Sequence, residues 1–278
     1  MPTHISGKVI VVTGAGSGFG RLVSQRAAAA GAKVVAADIN AAALEETVAG
    51  IKAGNGAATG LPTDVTDLAA MQALAAHAVK TYGAIDVMIN NAGIMPLAFY
   101  ADHAKAAEAW SKCIDINIKG VLHGIISVHD QMMAQGRGHI INISSIYGNF
   151  PVTGAGVYGA TKSAVNFLSE SLRVESQGKI KVTIVKPTGV PGTGLSSAIV
   201  NPAAVVGILA QNTPGYIAAT QAAASGKATD GQLDPEDVRY LILDPGFIAD
   251  QVIHAIDQPW GVSIGDITIR AAGDAYIL

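Results

Sequence analysis

Tyr158 and Lys162 stand four residues apart, and on a helix that spacing puts both side chains on one face. A free phenol has a pKa near 10, about three units too high for efficient proton exchange at neutral pH. Each unit is about 1.4 kcal/mol, so a site using this phenol as acid and base must favour its anion by roughly 4 kcal/mol. The Lys162 ammonium, helped by a second positive charge close by, could supply that bias. Ser145 ends a β-branched run thirteen residues before the tyrosine. From there its hydroxyl could hydrogen-bond a substrate oxygen and stabilise the charge developing on it. Taken singly, a Tyr–Lys pair on a helix and a serine at a strand end are commonplace. Their conjunction with a glycine-rich turn is specific.

That turn reads Thr13-Gly14-Ala15-Gly16-Ser17-Gly18-Phe19-Gly20. Between a strand and a helix, such a turn lets the backbone approach a pyrophosphate, and the helix N-terminus offers free N–H groups to it. The spacing is G-x-x-x-G-x-G, with Phe19 where the commoner G-x-G-x-x-G would end. Asp38 closes the second β-like run, 18 residues after Gly20. A carboxylate there accepts bonds from adenosine ribose hydroxyls and repels a 2′-phosphate. Ser17, not a basic residue, precedes Gly18, and Ile39-Asn40 follow Asp38. The expected cofactor is therefore NAD, and the expected chemistry is hydride transfer at a carbinol carbon with Tyr158 exchanging the proton.

The elements that must position these residues alternate regularly. β-branched runs at 8–13, 33–38, 57–63, 85–90, 139–144, 180–186 and 262–270 are separated by helical stretches at 18–30, 41–53, 67–82, 104–135 and 156–177. Continuous apolar runs suit strands buried on both faces. The alternation implies right-handed crossovers and an α/β fold: a doubly wound parallel sheet, the Rossmann fold, of about seven strands with helices on both faces. No repeat or linker divides the chain, so residues 1–278 read as one domain. Residues 188–233 break the rhythm with Gly, Ala, Pro and Ser just after a strand's carboxyl end. A loop of that length is functional or disordered, and its place favours a substrate lid containing some helix.

Composition excludes other classes. Half the residues are hydrophobic, 14% are charged and the net charge is −3, which argues against nucleic acid and anionic membranes as partners. No apolar run reaches the roughly 18 residues of a membrane span. The N-terminus lacks the pattern of a signal peptide, and the single Cys113 fits a reducing compartment, so a cytoplasmic enzyme is expected. The seven histidines are scattered; His123 and His129 fall on different faces of one helix, so no metal site is expected.

Over nearly its whole length the chain resembles the short-chain dehydrogenase/reductase family. The matching residues are the turn at 13–20, Asp64-Val65, Asn90-Asn91-Ala92-Gly93, Asn117, Ser145, Tyr158 and Lys162. The resemblance implies that Asp64 and Val65 contact the adenine and that Asn91, with Gly93 in its motif, contacts the cofactor from the adenosine side. It implies that Asn117 holds a water linking Lys162 to solvent, and that Lys162 also bonds the nicotinamide ribose. Val190 keeps the register of a backbone contact to the carboxamide. Thr188 stands where the family has glycine, Thr193 lies one position later than the usual threonine, and residues 262–270 replace the usual Asp-Gly-Gly ending. The family also implies a homo-oligomer, a tetramer or dimer.

Tyr147 and Phe150 follow Ser145 closely and are candidates, with Ser145 and Tyr158, to line the substrate pocket. Lys227 and Asp230 are the only charged residues in the 188–233 segment. An uncharged, fairly hydrophobic secondary alcohol or ketone suits such a lid. A 3-oxoacyl thioester on a polyanionic carrier suits it less, for want of a basic cluster, although another carbonyl reductase of the family remains an alternative. A catalytically idle NAD-binding regulator would be expected to lack Tyr158, Lys162 or Ser145. An epimerase or dehydratase acting on nucleotide sugars normally needs a larger substrate domain than the roughly 90 residues after Lys186 allow.

Overall fold

The computed structural model describes residues 4–226 and 231–277, with the backbone alone at 223 and 224. Its centre is a parallel sheet of seven strands in the order β3-β2-β1-β4-β5-β6-β7. The strands are β1 (Val9–Thr13), β2 (Lys33–Asp38), β3 (Ala57–Pro62), β4 (Val87–Asn90), β5 (Gly138–Ile143), β6 (Ile180–Pro187) and β7 (Asp266–Ile269). The helices are α1 (Gly18–Ala29), α2 (Ala41–Ala53), α3 (Leu68–Tyr82), α4 (His103–Ile114), α5 (Gly120–Gln135), α6 (Gly156–Glu175), α7 (Thr213–Ala224) and α8 (Pro245–Ile256).

The two-residue period of β1 shows how the layers form. Ile10 and Val12 face Val23 and Ala27 of α1, Leu44 of α2 and Val252 of α8. Val9 and Val11 face the other way, onto Leu74 of α3, Val128 of α5 and Val165 of α6. Every β1 side chain is buried, as a doubly covered strand requires. Side-chain oxygens of Asn40 and Asp67 cap α2 and α3 by accepting from Ala43 and Ala69 N–H, while left-handed Gly83 and Gly136 end α3 and α5.

The structure departs from the expected elements in three places. The single helix expected over 104–135 is interrupted by one π turn, Asp115–Lys119, which buries Asn117 between α4 and α5. Such turns occur frequently at functional sites. Second, α8 went unassigned in the sequence reading, although Asp244 accepts from Gly246 N–H and Pro245 opens the helix, a start signal of the usual kind. The described part of the 188–233 segment, expected to contain some helix, does so. It folds into short 3-10 segments (Leu195–Ala198, Pro202–Ile208, Ala210–Asn212) followed by α7; Lys227 and Asp230 lie outside the described residues. Third, the last strand is shorter than expected, because its pairing with β6 begins only at Asp266. Among the described residues no helix is long and apolar enough to cross a membrane, and no group of His, Cys, Asp and Glu could hold a metal ion.

Strand order reverses between β1 and β4, which opens a crevice at their carboxyl ends. Helix α5 lies close to the sheet there. A Cβ on Gly124 would come within 1.9 Å of Asn90 Oδ1, and Asn90 is tied to Asn142 (2.8 Å), itself bonded to Ser169 of α6 (2.8 Å). Gly124→Ala should therefore lower stability by about 1–3 kcal/mol through overpacking. Chemical denaturation measures this, and an unchanged midpoint would mean that α5 shifts off the sheet without cost.

Candidate active site

The site is assembled from loops that leave the sheet at its carboxyl end. Thr13 ends β1 and serves as a hub: its Oγ1 accepts from Asn91 N–H (3.1 Å) and Ala92 N–H (3.3 Å), and Asn91 Nδ2 donates to Thr13 O (2.9 Å) and Gly14 O (3.2 Å). The glycine turn is pressed against this hub. Gly14 has φ +66°, and a Cβ there would sit 2.8 Å from Asn91 Nδ2; one on Gly20 would sit 2.1 Å from Gly14 O. Side chains are therefore excluded, and the bare backbone turn faces the crevice.

Asp38, at the end of β2, accepts from Gly16 N–H (2.8 Å) and Asn40 N–H (2.9 Å), so the carboxylate is fixed beside the turn. The nearby Arg21 is committed elsewhere, donating to Gly16 O (2.5 Å) and pairing with Glu46 (3.1 Å). Asp64 accepts from the backbone and hydroxyl of Thr66, and Val65 is buried beside it.

Across the crevice, β5 ends at Ile143 and the chain turns sharply. Ser145 caps a 3-10 turn, Ile146–Gly148, by accepting from Tyr147 N–H. A Cβ on Gly148 would meet the Lys162 backbone at 2.8 Å, so glycine lets this turn lie directly on α6. Ser144 Oγ reinforces the contact by donating to Asn166 Oδ1 (2.6 Å). Helix α6 then presents Tyr158 and Lys162 from its first two turns, both buried. Lys162 Nζ donates to Ile143 O (2.8 Å) and lies 5.8 Å from the Tyr158 ring centre.

Burial dominates the electrostatics. It pushes the Tyr158 phenol above its usual range, while the Ser145 hydroxyl acts in the opposite direction. The same burial pushes Lys162 down to about 8, with the nearby Cys113 opposing it. At neutral pH the lysine is still mostly an ammonium, and the tyrosine is a neutral phenol.

One cavity of about 530 Å³ joins the two sides. Of the residues expected from the sequence, Gly14, Ser17, Gly18, Phe19, Asp38, Asp64, Val65, Asn91, Gly93, Ser145, Tyr147, Tyr158, Lys162 and Val190 line it. Three do not. Gly20 lies beneath the turn against Gly14. Phe150 lies beyond the 3-10 turn with 59% of its surface exposed, because that turn carries the chain outward; its expected place in the substrate pocket is corrected accordingly. Asn117 is fully buried behind the cavity. Its Oδ1 accepts from Ile94 N–H (3.0 Å), and its Nδ2 donates to Ile94 O (3.0 Å) and Thr161 Oγ1 (3.1 Å). The side chain thus straps the loop after β4 to α6 and offers the cavity no free amide.

Other lining residues were missed. Leu97, Ile208, Tyr216 and Tyr276 close the end of the cavity beyond Tyr158, and no motif marks them. Thr188 also lines it, and its buried Oγ1 has no hydrogen-bond partner among the described residues. Thr193 lines the cavity too, with its carbonyl oxygen 2.8 Å from where a Cβ of Gly18 would stand.

The family model described as short chain dehydrogenase matches residues 8–204. An uncharacterized oxidoreductase of Listeria monocytogenes is 37% identical over 265 residues, covering 95% of this chain and 96% of the relative. A short-chain dehydrogenase/reductase from Burkholderia phymatum, solved in complex with NAD, is 28% identical with a TM-score of 0.75, covering 96% of this chain and 90% of that one. A closed form of serine dehydrogenase complexed with NADP+ is 28% identical with a TM-score of 0.74 and covers 94% of each chain.

The buried lysine has a measurable signature. Lys162 titrates near 8 in the fold and near 10.4 when unfolded. Between those values the unfolded chain holds the extra proton, so this group's contribution to stability rises with pH from about 8 to about 10. Below about 8 its burial costs the fold about 3 kcal/mol. Lys162→Met should therefore compare best with wild type at pH 7 and lose ground as pH rises to 10. Thermal midpoints across that range test this; a difference that stays flat with pH would overturn the assignment.

Proposed function

The chain belongs to the short-chain dehydrogenase family, and from that premise we propose that it is an NAD-dependent oxidoreductase interconverting an uncharged secondary alcohol and its ketone. One observation carries the reading. Ser145, Tyr158 and Lys162 converge on a cavity whose other end is a bare glycine turn with an anchored carboxylate.

The residues present fit a nicotinamide dinucleotide. The turn admits a pyrophosphate because Gly14 and Gly18 carry no side chain and adopt positive φ, and the N-terminus of α1 follows directly. The buried, unpartnered Thr188 hydroxyl waits at the opposite end, suited to a polar group such as a carboxamide. NAD is favoured over NADP because Asp38 and Asp64 line the adenosine end, and Lys162, the one basic side chain among the described lining residues, lies at the other end beside Tyr158. In this reading Asp38 holds the ribose hydroxyls, Val65 packs on the adenine and Lys162 bonds the nicotinamide ribose.

NAD, when bound, supplies the hydride acceptor for oxidation, and its reduced form the donor for reduction. Tyr158 handles the proton. As a neutral phenol it donates to the ketone oxygen; in oxidation its anion takes the proton from the alcohol. Ser145 hydrogen-bonds that same oxygen and stabilises its developing charge. The Lys162 ammonium stabilises the phenolate that Tyr158 becomes. Asn117 is a positioning residue, holding Ile94 and Thr161 where the cavity needs them.

The substrate end is lined by aliphatic, hydroxyl and glycine groups, and Lys162 is its one charged side chain among the described residues. That supports an uncharged substrate over a thioester on a phosphate-bearing carrier. The intact Ser145, Tyr158 and Lys162 weigh against an idle NAD-binding regulator. Exposed Phe167 and Val174 on α6 and Ile126 on α5 support the expected self-association.

A panel of secondary alcohols and ketones, offered with NAD(H) and NADP(H) and followed by nicotinamide absorbance, tests the reading. Turnover with none of them would sink it, and a strong NADP(H) preference would sink the Asp38 argument. Asp38→Asn should narrow discrimination against NADP by about tenfold, roughly the 1.4 kcal/mol of one lost repulsion. Tyr158→Phe should bind NADH nearly as wild type does, by fluorescence titration, while losing at least about 100-fold in kcat. An active Tyr158→Phe enzyme would remove Tyr158 from the mechanism.

A further inference from the structure

Two hydroxyls at the substrate end of the cavity have too few partners. Tyr216 projects from α7 and Tyr276 from the segment after β7, and both line the cavity. Their rings are 6.0 Å apart and tilted by 42°. Their hydroxyls stand 3.5 Å apart, at the outer limit of a hydrogen bond. Among the described residues that contact is the one side-chain hydrogen bond of either phenol. Of two hydroxyls facing each other only one can donate, so at least one donor is left over.

The pair is held in place by its surroundings. Ile277 N–H donates to Ile208 O (3.1 Å), Asn212 Nδ2 donates to Ala275 O (2.8 Å), and Arg270 donates to Tyr276 O (3.1 Å). The terminal segment is thereby fastened to the 3-10 segments ahead of α7. The Tyr276 hydroxyl lies over Gly189, where a Cβ would approach it to 1.6 Å. Glycine at 189 is what gives this hydroxyl its room. On the other side the Tyr147 ring meets Tyr158 edge-on at 5.6 Å, and Tyr147, Tyr216 and Tyr276 all pack against the same cluster of Ile146, Ile208 and Leu209. The aromatic groups therefore form one continuous wall leading to the reactive phenol.

That wall is set in aliphatic surroundings, with Leu97, Val205, Ile208 and Leu209 lining the same end. Burial pushes the Tyr276 phenol upward, so it is a neutral donor and acceptor throughout the ordinary pH range. Neutral hydroxyls in an apolar enclosure match a neutral oxygen brought by the substrate. A site built to bond a substrate hydroxyl discriminates strongly against an analogue lacking it, because its own polar groups are then stranded.

We propose that Tyr216 and Tyr276 form a pair that reads a second oxygen on the substrate, and that the preferred substrate is an uncharged diol or hydroxyketone. One oxygen then sits at Ser145 and Tyr158 while the other bonds the tyrosine pair. The inference rests on the alcohol–ketone reading above, and the chemical step is unchanged. The pair governs which alcohol is held.

The test compares cyclohexanol with cyclohexane-1,2-diol, -1,3-diol and -1,4-diol, as kcat/KM with NAD and as calorimetric affinity for the NADH-loaded enzyme, in which alcohols cannot react. At least one diol should exceed cyclohexanol by about tenfold or more in both measurements, and Tyr276→Phe should reduce that ratio to within about twofold. Tyr216→Phe should reduce it as well, and provides a second variant should the first fold poorly. Equal affinity for cyclohexanol and every diol, or a ratio unchanged in both variants, would overturn the proposal. Preferential diol binding that is lost in the variants, without turnover of any alcohol, would support the pair and overturn the alcohol–ketone reading alone.

Discussion

The site depends on one buried hydrogen bond, from Lys162 Nζ to the carbonyl of Ile143 (2.8 Å). An ammonium taken out of water needs acceptors or charges to offset the loss, and burial already pulls this one down to about 8. The carbonyl it uses is the last of β5, so the bond ties α6 to the strand end where Ser145 begins its turn. Tyr158 is one helical turn from Lys162 on the same face, so the bond also sets the phenol relative to the serine. Gly148 belongs to the same constraint, because a side chain there would push the turn off α6 and separate the two.

Around this bond the carboxyl ends of the strands are joined by side-chain amides and hydroxyls. Asn91 ties the loop after β4 to the glycine turn, Asn142 ties Asn90 to Ser169 of α6, and Asn117 ties Ile94 to Thr161. A buried hydrogen bond contributes only about 1 kcal/mol net, but stranding one partner costs about 1–3 kcal/mol. Links of this kind therefore stabilise modestly and penalise misalignment heavily. The π turn at Asn117 fits the same logic. A regular helix from α4 through α5 would change the rotation of one part against the other, and the extra residue lets the amide meet both Ile94 and Thr161.

How much of this was legible in the sequence follows the range over which each feature is encoded. The strands, most helices and the glycine turn are local patterns of period and composition, and they fall within a few residues of where the sequence puts them. The Ser145, Tyr158 and Lys162 cluster is nearly local, since one strand, one turn and one helix bring it together. The π turn was not legible, because its cause is a set of bonds from Asn117 to residues 23 and 44 positions away. Phe150 was misplaced because proximity in sequence says nothing of a turn's exit direction. Tyr216 and Tyr276 were invisible for the strongest reason: they meet across 60 positions and carry no motif. Helix α8 is different, since its Asp244-Pro245 start was there to be read.

The cavity divides along the same line. At the glycine turn the protein offers mostly backbone, and its few side chains (Asp38, Asn91) spend their bonds holding that backbone in place. The same geometry can therefore persist while neighbouring sequence changes, in keeping with a TM-score of 0.75 at 28% identity to the Burkholderia phymatum enzyme. The other end is built from the 3-10 segments, α7 and the terminal segment, with aliphatic walls and hydroxyls. The family match ends at residue 204, so most of these residues lie beyond it, where few bonds to the sheet constrain them. Thr188 stands at the boundary. Its backbone N–H continues the ladder by donating to Ile269 O (3.1 Å), whereas its hydroxyl has no partner among the described residues. A glycine there could make that bond but would carry no hydroxyl. Under the proposed function, what Tyr158 acts on would be decided by the part of the chain with few bonds to the sheet, and how it acts by the part most tightly bound to it.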